Sequence, residues 1–301
     1  MSAGLAEVVR VWLLARTGPA WPWRLTRPSA MVEFQTVVTG FAGSLGCEFE
    51  GTGCISGAPR SRMRIPNPEL EVLLPVHNEA GTIEATIREI YEELSPRVTL
   101  QFIVAEDGST DGTKEILQRL EQTYPMKLVM SDQRKGYGPG VVGGLRELEA
   151  PYLLALDSDG QCDPRDFEKY WDLRNEFDVV TAWRVHRRDT AWRRFASGTF
   201  HAFYQAVFRL PIHDPSLCYI LARREVVERL VPELGPKVMV EGFWWEFNAR
   251  AHRRGYRLGE VPVNHRDRLA GESRLIPVRK VPSIFCRNFL AVFRVWYETR
   301  A

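Results

Sequence analysis

Short apolar runs alternate with helical hydrophobic stripes along the middle of the chain, from residue 70 to residue 183. Five runs predict buried strands; they are Leu70–Val76, Leu100–Ala105, Lys127–Met130, Tyr152–Leu156 and Asp178–Trp183. Between the strands, apolar residues spaced three and four apart predict helices, most clearly over residues 83–94, 116–120 and 141–148. Strands and helices that alternate over short connections are typical of a parallel sheet flanked by helices, so the predicted fold class is α/β.

The alternation ends after Trp183. An apolar face predicts a helix from Phe195 to Leu210, a second helix is expected over Glu241–Arg254, and a strand over Arg257–Val263. The last residues are rich in Phe, Trp and Arg, which predicts an amphipathic C-terminal helix within residues 276–301. The apolar face of this helix has two interpretations, which are core packing and contact with a membrane surface.

Residues 1–65 differ from the rest of the chain. Prolines and glycines are frequent there and the periodicity is poor, so we expect an N-terminal extension that is poorly structured or accessory. A further interpretation is that the natural start lies downstream, at Met31 or Met63. The expected organisation is an extension over residues 1–65, an α/β domain over 66–275 and the C-terminal helix over 276–301.

The composition excludes several classes of protein. Forty basic residues against 38 acidic ones leave a net charge of +2, which is too balanced for a protein that coats nucleic acid. The mean hydropathy is −0.24, and no run approaches the roughly 18 apolar residues of a membrane-spanning helix. Five scattered cysteines without a CxxC pair favour free thiols and a cytoplasmic setting over a disulfide framework or a structural zinc site.

Polar and acidic clusters follow three of the predicted strands. They are His77–Glu79, Glu106–Asp107 and Asp157–Asp159. Ligands of parallel α/β sheets bind beyond the carboxyl ends of the strands. We therefore expect the three clusters to converge on one crevice.

Asp157 and Asp159 are candidate metal ligands. Two carboxylates placed two residues apart, directly after a buried strand, can hold a hard divalent cation that bridges a diphosphate as a bond to it breaks. The alternative is a loop of solvated acids or a helix cap. In the preceding cluster, Asp107 can accept hydrogen bonds from a base or from ribose hydroxyls, whereas Asp111 is expected to cap the next helix.

Three further features each have a functional and a structural interpretation. Lys135 lies in a Gly-rich segment that resembles a phosphate cradle but lacks the P-loop ending, and the alternative is a solvated loop lysine. Arg187 and Arg194 belong to a basic stretch that either meets an anionic partner or forms a solvated face. Glu241 and Glu246 lie among aromatic residues, where desolvation raises the pKa of a carboxyl and suits it to general-base work, unless both are exposed.

Six segments in chain order carry a resemblance to a known family. They are LPVHNEAGTI (74–83), VAEDGSTDGT (104–113), RKGYGPGVVGGL (134–145), LLALDSDGQCDP (153–164), HDPSLCYILARRE (213–225) and GYRLGEVPVNHRDRLAGESR (255–274). The chain resembles family 2 glycosyltransferases of the GT-A fold, and within them most the dolichol- or polyprenol-phosphate hexosyltransferase branch. The resemblance spans roughly residues 70–275. It implies a Rossmann-like catalytic domain that moves a hexose from a GDP- or UDP-sugar to a polyprenyl or dolichyl phosphate.

The resemblance also implies site residues. Those that would bind the nucleotide sugar are Pro75, Glu79, Asp107, Lys135, Asp157 and Arg274. The pair that would hold Mg²⁺ or Mn²⁺ in the family's DxD pattern is Asp157 and Asp159. Those placed near the reacting groups are Asp159, Asp214, Glu246 and Arg268, and those that would face the acceptor phosphate are Arg187 and Arg194. Glu241 is a further candidate from its aromatic segment and not from the resemblance. This chain departs from the family pattern at Glu106, where Asp is frequent, and at His77.

The implied mechanism is a single displacement with inversion, in which the cation and basic side chains stabilise the departing nucleoside diphosphate. A phosphate acceptor is already an anion, whereas a hydroxyl acceptor would need Glu241, Glu246 or Asp214 as a base. Transfer to a soluble saccharide or natural product, a nucleotidyltransferase and a non-catalytic nucleotide-sugar binder remain the alternatives. A lipid-phosphate acceptor implies that a cytoplasmic protein makes peripheral contact with a membrane.

Overall fold

The computed structural model describes residues 63–184, 191–234, 242–264, 266 and 281–300. All of these residues belong to one compact unit that spans Gly57–Ala301. Four of the predicted site residues lie outside the described ranges, and they are Arg187, Glu241, Arg268 and Arg274. The side chain of Arg194 and nearly all of the predicted extension over residues 1–65 are outside them as well.

The described residues form one seven-stranded sheet with the strand order β3-β2-β1-β4-β6-β5-β7. The strands are β1 (Leu70–Val76), β2 (Leu100–Asp107), β3 (Met126–Ser131), β4 (Tyr152–Leu156), β5 (Val179–Arg184), β6 (Tyr219–Arg223) and β7 (Leu258–Val263). Strand β6 runs antiparallel to both of its neighbours, and every other pair is parallel. The carboxyl ends of β2, β1 and β4 therefore lie side by side along one edge.

Helices cover both faces of the sheet. They are α1 (Ile83–Leu94), α2 (Thr113–Leu120), α3 (Tyr137–Leu145), α4 (Phe167–Leu173), α5 (Ala191–Phe208), α6 (Arg224–Leu230), α7 (Phe243–Arg253) and α8 (Val281–Glu298). Short 3₁₀ turns at Pro164–Asp166 and Val231–Glu233 lead into α4 and follow α6.

Two hydrophobic layers enclose the sheet because successive side chains of a strand point to opposite faces. From β1, Leu73 packs in the layer formed with α3, α5, α6, α7 and α8. Its neighbours Val72 and Leu74 pack in the opposite layer, with α1, α2 and α4. Burial on both faces explains why β1 is an apolar run rather than an alternating one.

The predicted α/β class and mostly parallel sheet are confirmed. Strands β1 and β4 have the predicted bounds. Strand β2 continues to Asp107, two residues past its predicted end, because Glu106 and Asp107 pair with Met130 and Ser131 of β3.

The Gly-rich segment after β3 differs from its prediction. Helix α3 begins at Tyr137 rather than at Val141, so most of the expected phosphate cradle is the first turn of a helix. Pro139 is compatible with this turn because the N–H groups of a first helical turn have no partner within the helix. Of the residues expected to form the phosphate cradle, only Lys135 and Gly136 lie in the loop before the helix.

Three elements were not predicted, namely β6, α4 and α6. Strand β6 inserts between β4 and β5 and makes the sheet mixed. A five-residue apolar run of this kind fits a strand or part of a buried helix equally well, and nothing in its own residues specifies antiparallel pairing with β4.

Candidate functional site

Hydrogen bonds join the ends of β1, β2 and β4. The backbone N–H of Asn78, after β1, donates to Ser109 Oγ at 2.9 Å, and the N–H of Thr110 donates to Asn78 Oδ1 at 2.9 Å. On the other side of β1, the Ser158 hydroxyl donates to the carbonyl oxygen of Pro75 at 2.8 Å. The three polar clusters that follow these strands are therefore neighbours, as the sequence predicts.

Asp107 holds the loop that precedes α3. One carboxylate oxygen accepts the backbone N–H of Lys135 at 2.6 Å, and the other accepts the N–H of Gly136 at 2.8 Å. The loop also lies against Gly108, where a Cβ atom would stand 2.4 Å from the backbone nitrogen of Arg134. Asp107 is buried, and the Lys135 side chain is exposed at the rim of the same strand end.

Asp157 and Asp159 follow β4 and interact electrostatically. Burial, and secondly the negative charge of Asp159, raise the pKa of Asp157 to about 7. A hydrogen bond from the hydroxyl of Tyr137, with 3.3 Å between the oxygens, and the positive charge of Arg184 act in the opposite direction. Asp159 is buried, and its Oδ1 accepts the backbone N–H of Gln161 at 3.1 Å.

The two carboxylates fit a hard divalent cation. Burial and the nearby charge of Asp159 both disfavour the ionised form of Asp157, and a cation between the two carboxylates would offset both effects. Within the described ranges, no group of three or more His, Cys, Asp or Glu side chains is arranged as a metal site. Two carboxylates alone suit Mg²⁺ or Mn²⁺ shared with substrate phosphates, because Mg²⁺ is commonly held by one or two carboxylates together with phosphate oxygens and water.

Glu79 lies at the beginning of α1. Its Oε2 accepts the hydroxyl of Thr82 at 2.9 Å, and its carbonyl oxygen accepts the backbone N–H of Ile83 at 2.9 Å. Its own N–H donates to Thr113 Oγ1 at 3.0 Å, which joins the starts of α1 and α2. The position follows the carboxyl end of β1, as expected from the sequence.

Asp214 precedes β6 and is buried in an ion pair. Arg184, the last residue of β5, donates from Nε to Asp214 Oδ2 at 2.7 Å, and Ser216 donates its hydroxyl to Oδ1 at 2.6 Å. Because the charge of Arg184 also reaches Asp157, this pair belongs to the same end of the sheet. Asp214, one of the expected bases, is thus a carboxylate paired with the guanidinium group of Arg184.

Glu246 on α7 is buried between two arginines. Its Oε1 accepts from Arg250 Nε at 2.9 Å, and its Oε2 accepts from Arg294 on α8 at 2.7 Å. Two guanidinium groups flank this carboxylate in addition to the aromatic residues expected from the sequence. This arrangement supports a structural link between α7 and α8 rather than a general base at Glu246.

Sequence reasoning missed two residues that reach the Asp157 carboxylate. Tyr137 donates to it, and Trp244 on α7 donates from Nε1 to the Tyr137 oxygen at 2.9 Å. The two aromatic residues are 107 positions apart, so no local pattern joins them. The available signal was weak and consisted of a tyrosine within the Gly-rich segment and tryptophans next to a predicted catalytic glutamate.

The fold belongs to the GT-A class. A mannosyltransferase from Pyrobaculum calidifontis, solved in complex with GDP-Man and Mn²⁺, matches 78% of this chain and 74% of its own chain with a TM-score of 0.51 and 19% identity. The chain itself belongs to glycosyl transferase family 2. The sequence profile of this family matches residues 71–231, which is more than half of the chain.

Two curated proteins are similar in sequence. The undecaprenyl-phosphate 4-deoxy-4-formamido-L-arabinose transferase of Pseudomonas syringae pv. syringae is 24% identical over 222 residues, which cover 72% of this chain and 63% of the relative. The glycosyltransferase AglD of Haloferax volcanii is 29% identical over 76% of this chain and 37% of its own length. The chain thus spans less than two thirds of the length of these relatives.

Proposed function

We propose that this chain transfers a hexose from a GDP- or UDP-sugar to a polyprenyl phosphate, with inversion at the transferred carbon. The observation that carries the proposal is that Asp107 ends β2 while Asp157 and Asp159 follow β4, the two strands that flank β1, in a chain of glycosyl transferase family 2. A relative named for transfer to undecaprenyl phosphate supports the acceptor class. A structural neighbour that holds GDP-Man supports a nucleotide-sugar donor.

In this proposal Asp157 and Asp159 hold Mg²⁺ or Mn²⁺. The bound cation would neutralise charge on the diphosphate of the departing nucleotide. Asp107 acts through the loop that it fixes, because its two backbone hydrogen bonds set the position of Lys135 at the rim of the site. Pro75 and Glu79, at the end of β1 and the start of α1, are proposed to line the nucleotide side.

The proposed acceptor follows from the ion pairs that the described acidic side chains form. A hydroxyl acceptor requires a base, and both described candidates are committed to arginines, Asp214 to Arg184 and Glu246 to Arg250 and Arg294. A phosphate acceptor is an anion that attacks without a base. This difference favours a lipid phosphate over a soluble hydroxyl.

Four arginines complete the proposal by resemblance to the family pattern. Arg187 and Arg194 would meet the acceptor phosphate, and Arg268 and Arg274 would close over the donor phosphates. A guanidinium group forms paired, charge-assisted hydrogen bonds with phosphate oxygens, which suits all four assignments.

We further propose peripheral contact with a membrane through α8. Leu290, Phe293 and Tyr297 are exposed on this helix at spacings of three and four, which places them on one face. Among the helices of the described ranges, none combines the length and apolarity needed to cross a bilayer. An amphipathic helix that lies in the interface would bring the site to a lipid-borne phosphate.

The test compares two acceptors that differ in one group. The protein is incubated with GDP- and UDP-hexoses, Mn²⁺, and either a short polyprenyl phosphate or the corresponding polyprenol in detergent, and glycolipid is measured by mass spectrometry. We expect product with the phosphate and none with the alcohol, and none from the Asp159→Ala variant. Product from the alcohol alone would overturn the acceptor assignment, and no product with any donor would overturn the transfer itself.

A further inference from the structure

Two aromatic side chains form a hydrogen-bonded chain that ends on the Asp157 carboxylate. The indole Nε1 of Trp244 lies 2.9 Å from the hydroxyl oxygen of Tyr137, and that oxygen lies 3.3 Å from Asp157 Oδ1. Tyr137 is the first residue of α3, and Trp244 is in the first turn of α7. The chain therefore connects two helices to one carboxylate at the end of β4.

The direction of both hydrogen bonds follows from the chemistry of the groups. An indole N–H can only donate, so the Tyr137 oxygen must accept from Trp244. A tyrosine hydroxyl carries a single proton and can donate one hydrogen bond. That single proton is donated to Asp157 Oδ1, since the carboxylate oxygen can only accept.

A third residue lies beside Asp157 on the neighbouring strand. The antiparallel register of β4 and β6 pairs Leu156 with Tyr219. Asp157 and Cys218 are the next residues along, so they face one another. Cys218 is buried, so no exposed surface separates Asp157 from β6 on this side.

Packing fixes the indole that begins the chain. Trp244 is buried and meets Phe243 and Phe247 edge to face, with ring centroids 4.9 Å and 5.6 Å away. Helix α7 is anchored to α8 through Glu246 and Arg294. The orientation of the Tyr137 hydroxyl is thus set by a helix whose own position is determined by a buried ion pair.

We propose that Tyr137 and Trp244 are positioning residues that orient Asp157 for the divalent cation, with Trp244 acting through Tyr137. The inference rests on the proposed function, because it takes Asp157 to be a metal ligand. Partners of this kind fix the orientation of a ligating side chain, and removing one commonly weakens metal affinity by about 10–100-fold.

The test measures Mn²⁺ affinity directly rather than through turnover. Mn²⁺ is titrated, in the presence of GDP or UDP, into the wild-type protein and the Tyr137→Phe, Trp244→Phe and double variants, with free Mn²⁺ followed by electron paramagnetic resonance. We expect Tyr137→Phe to raise the Kd about 10–100-fold. Because Trp244 acts through Tyr137, the double variant should bind as weakly as Tyr137→Phe alone.

Tyr204→Phe is the matched control. Tyr204 is a buried tyrosine of the same hydrophobic layer, and its hydroxyl donates to the carbonyl oxygen of Trp245 at 2.6 Å, away from the carboxylates. Tyr204→Phe removes one hydrogen bond and Tyr137→Phe removes two, so the melting temperature should fall in both variants. Only Tyr137→Phe should weaken Mn²⁺ binding, and saturating Mn²⁺ should restore its kcat.

The outcomes separate the two proposals. If the wild-type protein binds no Mn²⁺ with either nucleotide, the metal role of Asp157 fails, and the inference fails with it. If the wild-type protein binds Mn²⁺ and Tyr137→Phe binds it equally well, only the inference is overturned. If Tyr137→Phe does not fold, Trp244→Phe decides the question. Unchanged Mn²⁺ affinity in Trp244→Phe would contradict the proposal that Trp244 orients Asp157 through Tyr137.

Discussion

The carboxylate of Asp107 accepts the backbone N–H of Lys135 at 2.6 Å, across 28 positions of sequence. Its second oxygen accepts the N–H of Gly136, so both oxygens bind the loop before α3. A residue predicted to contact the nucleotide is therefore also the residue that shapes the site's rim. Removing the charge of Asp107 should therefore affect two quantities, the stability of the protein and its affinity for the nucleotide.

We expect Asp107→Asn to destabilise the protein and to weaken nucleotide binding. The amide keeps one acceptor but turns an NH₂ group toward a backbone N–H, so one charge-assisted hydrogen bond is lost, at a cost of about 1–3 kcal/mol. Urea denaturation and GDP and UDP titrations measure the two effects. Asp132→Asn, at an exposed position of the same loop, is the control and should change neither quantity. A fully stable Asp107→Asn variant would contradict the role of Asp107 in holding the loop.

Gly108→Ala should destabilise the protein more than Gly112→Ala does. Both glycines have a positive φ, +66° and +92°, so alanine at either position costs about 1–2 kcal/mol of backbone strain. Only at Gly108 would the added Cβ also collide with backbone, that of Arg134, whereas nothing lies within 4 Å at Gly112. Equal free energies of unfolding for the two variants would show that the loop does not pack against Gly108 as described.

Glu246→Gln should lower stability strongly while leaving turnover of the folded enzyme intact. Removing the charge weakens the contacts with Arg250 and Arg294, and because Arg250 keeps Glu233 and Glu298 as partners, the expected cost is about 1–3 kcal/mol. Glu228→Gln, which breaks the exposed pair with Arg224, is the control and should cost about 0–1 kcal/mol. Denaturant unfolding and kcat are measured together. A kcat reduced by about 10²–10⁴ at unchanged stability would instead identify Glu246 as a base.

Asp163 should make stability depend on acid pH. Burial alone would raise its pKa, but hydrogen bonds from Arg165 and Arg266 outweigh burial and hold the pKa well below the ordinary value of 3.8. A carboxyl with a depressed folded pKa stabilises the fold above its unfolded pKa and loses that contribution as pH falls toward the folded value.

The stability difference between wild type and Asp163→Asn should therefore be largest at neutral pH and shrink below about pH 4. Urea denaturation at several pH values measures it, with Asp172→Asn, at an exposed position on α4, as the control. A difference that stays constant down to about pH 3 would mean that Asp163 is not paired in the way described.

The sequence predicted local features well and long-range partners poorly. β1, β4 and the neighbouring positions of the three acidic clusters followed from apolar runs and from the rule that parallel strands end at one edge. The Gly-rich segment misled because glycine and proline also occur in a first helical turn, as at Pro139.

The partners of the acidic residues depend on tertiary structure. Glu246 lies among aromatic residues in the sequence, yet Arg294, one of the two arginines paired with it, is 48 positions away. Arg184 reaches Asp214 across 30 positions through the unpredicted strand β6. Contacts of this kind are set by how strands and helices pack, and no periodicity in a single sequence encodes them.

The central claim is that Asp157 and Asp159 together hold a divalent cation on a nucleotide diphosphate. The most direct measurement is the melting temperature of wild type and Asp159→Asn with GDP-sugars or UDP-sugars, each with and without Mn²⁺. A ligand that binds only the folded state raises the melting temperature by mass action. We predict a rise for wild type with one nucleotide class that depends on Mn²⁺, and no Mn²⁺-dependent rise for Asp159→Asn. The same Mn²⁺-dependent rise in both proteins would contradict the claim.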